Sequence, residues 1–220
     1  MKKELKIEVP NDYSAITLRK YLEMHKDMEA YKDDEEAVHA ILFYHLCQIE
    51  ADLLNKIDNE TYNDIKNQLF SFLGNHEQPL KRIVVLNGIE YGFEPNLSEM
   101  AYGAYVDISK YDTFTIDENW AKIMSILYRP ITKQVGALYE IEPYAGKIDD
   151  ELWLEAGMDV HFGAYFFFIN LSRDLGKDTL KSLMEMEEMP LNIKSILEES
   201  GELINQYSRF VTGSYFESMK

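Results

Sequence analysis

The stretch Arg82-Ile83-Val84-Val85-Leu86-Asn87-Gly88-Ile89-Glu90-Tyr91-Gly92-Phe93 decides the fold class. A short β-branched run meets Asn87-Gly88, the strongest two-residue hairpin signal, and Ile89 to Phe93 alternates behind it. Pro95-Asn96 ends the second arm. A pair of antiparallel strands therefore sits in a chain whose remaining periodicity is mostly helical.

Upstream, Val38, Ile41, Leu42, His45, Ile49, Leu53 and Ile57 recur at steps of three and four, which predicts a helix from Asp34 to Ile57. The acids of Lys32-Asp33-Asp34-Glu35-Glu36 fall in its first turn, facing the positive end of the helix dipole. A second helix, Thr61 to Leu73, presents Ile65, Leu69, Phe72 and Leu73, and Gly74-Asn75 closes it through a left-handed residue. The two are expected to form a helical hairpin. Before them, Leu5 to Val9 alternates like a short strand ended by Pro10-Asn11-Asp12, and Thr17 to His25 is helical.

Downstream, Ala104 to Ile108 reads either as a third strand or as a segment following a turn of helix begun at Ser98. Trp120, Ile123, Met124, Leu127 and Tyr128 form a helical apolar face stopped at Arg129-Pro130. Ile131 to Ile141 leaves helix and strand open, and Glu142 to Gly146 is a loop. A short helix at Asp149 to Glu155 precedes Gly157 and a very apolar helix that Gly176 should stop. Helix resumes over Leu180 to Met186 until Pro190, and a last helix from Asn192 carries Ile193, Ile196, Leu197, Ile204, Tyr207 and Val211. The fold class is α+β and predominantly helical. A lobe at residues 1–76, short strand plus helical hairpin, packs on a lobe at residues 80–220 that holds the β-hairpin and a central aromatic helix.

Composition narrows the function. The 220 residues carry 39 acidic against 22 basic side chains, a net charge of -17. Such a chain repels a polyanion, so direct nucleic-acid binding is not expected. Cys47 is the single cysteine, excluding an intrachain disulfide and the usual zinc frameworks. Met1 to Lys6 is followed by no apolar leader, and Val160 to Leu171 is too short to span a bilayer, so a cytosolic protein without membrane contact is expected.

No cofactor, metal or catalytic constellation emerges. Among the five histidines no pair has the i, i+4 spacing that shares a metal on one helical face. His45 lies on an apolar stripe, as a core histidine satisfied by a neighbour would. His161, heading the aromatic helix, is the histidine of interest, and with Tyr128 and Arg129 it forms the one enzymatic candidate. Glycine-rich nucleotide loops and a Gly-x-Ser-x-Gly elbow are absent. Tyr165-Phe166-Phe167-Phe168-Ile169 instead points large side chains all round a helix. That helix is either the centre of one core or presents a side of Phe166, Phe167 or Phe168 to another subunit.

Several segments in order carry a resemblance: Leu86 to Leu97, Tyr102 to Ile108, Leu127-Tyr128-Arg129-Pro130, Tyr139-Glu140-Ile141-Glu142-Pro143-Tyr144, and Met158 to Phe168. Across residues 82–176 the chain resembles small proteins of tailed bacteriophages, of the tail-assembly or virion-structural class. The resemblance implies an assembly chaperone, or a minor tail or portal-region component, in the host cytoplasm or the virion. Its partners would be other virion proteins or a second copy, and it brings no catalytic residue. The interface candidates are Phe166, Phe167, Phe168, Tyr128, Arg129 and Tyr144. The alternatives are an enzyme with a pocket near His161, Tyr128 and Arg129, and a regulatory binding protein unrelated to phage.

Overall fold

A computed structural model describes residues 7–184, with side chains to residue 178. Asn87 and Gly88 take φ of 51° and 80°, the left-handed pair that matches the twist of two antiparallel strands. They turn β1 (Ile83–Leu86) into β2 (Ile89–Phe93). The ambiguous stretch after Arg129 becomes a second hairpin, β3 (Tyr128–Val135) and β4 (Leu138–Ile141). β3 joins β2 through Tyr91 opposite Pro130 and Phe93 opposite Tyr128. The sheet is antiparallel, ordered β1-β2-β3-β4, with an irregularity between Ile131 and Lys133. Tyr139 of β4 reaches back to donate to the Phe93 carbonyl at 2.7 Å.

The N-terminal half is helical. Thr17 caps α1 (Leu18–Ala30), its hydroxyl accepting from the Lys20 amide. Asp34 caps α2 (Glu35–Cys47), with Glu35 and Glu36 in the first turn as the dipole favours. The expected run to Ile57 does not form. Gln48 takes φ 57°, its amide is bonded to the Phe43 and Tyr44 carbonyls, and the chain restarts as the short α3 (Ala51–Leu54). This reversal sends Ile49 into the core, 2% exposed. Asp58 then caps α4 (Asn59–Leu73), accepting from the amide and the hydroxyl of Thr61. α2 and α4 run antiparallel: Phe43 stacks on Tyr62 at 5.3 Å, while His39 meets Phe70 edge-on further along α4. α1 lies against α2, where Asp27 holds His45 at 2.8 Å, the satisfied core histidine that the apolar stripe predicts.

Three other expectations are corrected, and one open reading is decided. Ile7 to Val9 forms no strand; Leu5 and Lys6 lie outside the described residues. Gly74 ends α4 in the right-handed region, because its amide still reaches the Phe70 and Phe72 carbonyls. Ala104 to Ile108 is not a strand but most of α5 (Tyr102–Ile108). Gly176 does not stop the aromatic helix, which continues as α8 (Met158–Met184). The predicted break at Pro190 and the helix from Asn192 lie outside the described residues.

The core gathers around α6 (Trp120–Leu127), whose Trp120, Ile123, Met124, Ile126 and Leu127 are fully buried. α7 (Asp150–Leu154), capped by Asp149, inserts Trp153 beside it. Residues up to Tyr165 form one compact unit, and α8 from Phe166 onward belongs to a second. Within the first unit the beginning of the chain is tied to residues near its end. The Leu18 amide donates to the Ala156 carbonyl and the Met158 amide to that of Ile16, bracketing a bridge between Thr17 and Gly157. Tyr13 sets its ring edge-on to Phe162 at 5.0 Å and donates to the Leu73 carbonyl. The 75–80 connection crosses over Gly163, where a Cβ would stand 2.5 Å from the Pro79 carbonyl oxygen; only glycine fits without moving backbone. Lys81 then pairs with Asp159. None of the described helices is long and apolar enough to cross a membrane.

Candidate functional site

Tyr128 and Arg129 open β3, and successive strand residues point to opposite faces of a sheet. Tyr128 therefore enters the core, 1% exposed, against Trp153 at 5.0 Å and Phe93 at 5.2 Å. Its hydroxyl donates to the Lys81 carbonyl at 2.6 Å, and burial pushes its pKa up. His161 also meets Trp153, ring edge-on at 6.4 Å; it is wholly buried, with Nε2 3.0 Å from the Trp153 carbonyl oxygen. A carbonyl only accepts, so Nε2 carries the proton. Nδ1 has no hydrogen-bond partner among the described residues. Burial lowers the His161 pKa to about 4, against the opposing pull of the Trp153 carbonyl and Asp159. The imidazole is neutral at pH 7 and buried, with the Trp153 ring edge-on to it.

Arg129 points the other way. Its Nη2 donates to Glu94 Oε2 at 2.5 Å, and the two side chains are only 11% and 10% exposed. Removing one partner of such a pair leaves an uncompensated buried charge, at a cost of about 3–5 kcal/mol. The guanidinium also stands 6.0 Å over the Tyr144 ring. Tyr144 donates to Asp107 Oδ2 at 2.6 Å, and Lys110 binds the other Asp107 oxygen at the same distance. Burial and the Asp107 hydrogen bond together push the Tyr144 pKa up to about 12. Hydrogen bonds from Lys110 and Tyr144 hold Asp107 below the usual carboxylate range. Glu94, Arg129, Tyr144, Asp107 and Lys110 thus form a connected polar seam joining the sheet to α5.

On that base α5 presents Tyr102 and Tyr105, 81% and 61% exposed, neighbours on one helical face at i, i+3. Val135 and Leu138, paired across the tip of the second hairpin, are 68% and 78% exposed. The sequence reading missed all four. The signal for the tyrosines was their spacing of three, obscured while that segment stood open between strand and helix.

The structure brings Tyr128 and His161 each against Trp153 and places Arg129 with Tyr144. Of the aromatic run, Phe166 is buried, while Phe167 and Phe168 are half-buried and meet edge-on at 5.5 Å. Two surface clefts are described, one around Asn67 and Asn75, the other around Asn87 and Glu155; Tyr128, Arg129 and His161 line neither. Among the described residues no three His, Cys, Asp or Glu side chains gather as a cation cage. The arrangement is suited to holding rings rigidly at a surface, by core packing beneath and ionic hydrogen bonds at the edge. Compared with known proteins, the chain matches no family model, no curated protein and no solved structure.

Proposed function

We propose that this chain acts by binding other proteins, as an assembly chaperone or minor structural component of a tailed-phage particle. The resemblance across residues 82–176 supports the phage part of this reading. The exposed Tyr102 and Tyr105 on the braced helix α5 carry the binding part. Tyrosine brings large contact area with few rotatable bonds, which is why it concentrates in interfaces. Two rings burying about 150–250 Å² each account for about half of the roughly 800 Å² that one partner contributes to a standard interface. The net charge of -17 steers approach towards a basic partner surface.

The test is affinity capture of the tagged chain from particle-producing cells, beside a Tyr102→Glu/Tyr105→Glu variant. Virion proteins should return with the native chain at a fixed ratio, and their yield should drop at least tenfold with the variant. Circular dichroism should show the same fold for both, since the two rings are exposed. Capture of no virion protein by the native chain removes the phage reading. Equal capture by a folded variant removes α5 as the interface.

A further inference from the structure

The sheet ends in two edges, β1 and β4, and their backbone groups can be followed one by one. Along an antiparallel ladder, residues that bond to the neighbouring strand alternate with residues whose N–H and C=O turn away from it. The Phe93 amide donates to the Arg82 carbonyl, so Val84 and Leu86 also bond inward to β2, while Ile83 and Val85 turn their backbone groups outward. Among the described residues nothing hydrogen-bonds to those outward groups. On β4 the Glu142 amide donates to the Pro130 carbonyl, and the same alternation leaves Tyr139 and Ile141 outward.

The two edges differ in what a second copy would meet. β1 reads Ile83-Val84-Val85-Leu86, with neither the charge nor the proline by which an edge usually refuses a neighbouring strand. With a second β1 laid antiparallel and Val84 opposite Val84, every outward residue finds an outward mate. Ile83 exchanges both backbone bonds with Val85 of the second copy, and Val85 with its Ile83. These side chains share the face opposite the buried Val84, so Val85, 62% exposed, gains a β-branched cross-strand neighbour. The edge is self-complementary, as a twofold dimer requires. The same operation on β4 sets Glu140 against Glu140 in the closer, non-bonded kind of pair, where like charges repel.

Charge points the same way. The net charge of -17 opposes contact between copies, but around β1 the signs are mixed: Lys81 and Arg82 precede the strand and Glu90 stands beside Val85. In the joined sheet the two Glu90 residues lie three strand spacings apart, about 14 Å, beyond the screening length of about 8 Å at physiological salt. We infer that β1 is the seat of a twofold homodimer, in which two copies join their sheets edge to edge through Ile83 and Val85. An edge of 4 residues covers less than the roughly 800 Å² per partner of a standard interface, so the dimer forms at micromolar concentration and not below. β1 is a different element from the tyrosine face of α5, and the inference stands whether or not that face is an interface.

Sedimentation of the full-length chain between about 1 and 500 μM should show monomer passing into dimer and nothing larger. Val85→Pro deletes one outward N–H and spares the inward bonds, and Val85→Lys places a charge on the edge. Each should weaken dimerisation at least tenfold while circular dichroism reports the native fold. Tyr102→Glu/Tyr105→Glu should dimerise like the native chain. Amide exchange followed by NMR locates the seam. The Ile83 and Val85 amides should exchange at least tenfold more slowly in the dimer than in the monomer, and those of Tyr139 and Ile141 at the same rate in both. The inference is overturned by a chain that stays monomeric at the highest concentration, or by a folded Val85→Lys that dimerises as tightly as the native chain. A dimer abolished by the tyrosine variant, open-ended growth, or protection at Tyr139 and Ile141 overturns it equally.

Discussion

His161 shows how burial alone removes a residue from chemistry. A free imidazole titrates near 6.5, whereas this one is pushed down to about 4, chiefly by loss of solvent. Between those values the unfolded chain binds a proton that the folded chain refuses, so stability falls as pH drops through 6.5 towards 4. Relative to pH 7, this single group costs about 2 kcal/mol at pH 5. His161→Gln keeps a side-chain N–H for the Trp153 carbonyl and does not titrate. In urea unfolding at the two pH values, the native chain is expected to lose about 2 kcal/mol more than the variant. Parallel losses would mean that His161 takes up its proton without unfolding. Arg129 lives under a different constraint: its buried guanidinium is paired with the equally buried Glu94.

At the scale of the element, the clearest lesson is α2. The apolar stripe from Val38 to Ile57 is real in composition, yet the helix stops at Cys47. No glycine or proline announces the stop. Gln48 accepts a left-handed backbone because burying Ile49 repays the distortion, a tertiary cause that no local pattern contains. A non-glycine residue in that region carries a cost of about 1–2 kcal/mol. Gln48→Gly is therefore expected to stabilise the fold by about 1 kcal/mol, seen as a higher urea midpoint at unchanged slope. A lower midpoint would mean that the Gln48 side chain contributes more than its backbone loses. The same contrast explains what was legible elsewhere. Asn87-Gly88 is a local device and turns the chain where the sequence places it; the caps Asp34, Asp58 and Asp149 are local too, yet Asp58 opens α4 at Asn59, two residues before the expected start at Thr61. The second hairpin was not legible, because Tyr128 to Pro130 become strand by pairing with β2 and the rest by pairing across the hairpin itself. With that strand unread, the divergence of Tyr128 and Arg129 to opposite faces could not be foreseen. Gly176 is passed over because glycine only weakens a helix and does not forbid one.

The whole molecule carries a net charge of -17, a self-repulsion that folding concentrates and salt relieves. The screening length falls from about 30 Å in 0.01 M salt to about 8 Å at 0.15 M. Thermal unfolding of the full chain is expected to shift upward by several degrees over that range. An unchanged midpoint would indicate that local ion pairs such as Arg19 with Glu151 and Glu155 already offset the repulsion. Those same pairs belong to the tie between Ile16 to Arg19 and Glu151 to Met158, and that tie has a consequence in time. Ile16 and Leu18 are 3% and 0% exposed, yet the residues that close over them are made about 140 positions later. At roughly 5–20 residues per second of synthesis, the early segment waits about 7–28 s for its cover. During that interval the ribosome holds a chain in which Ile16 and Leu18 lack their later partners, and the tie closes only when Glu151 to Met158 emerge.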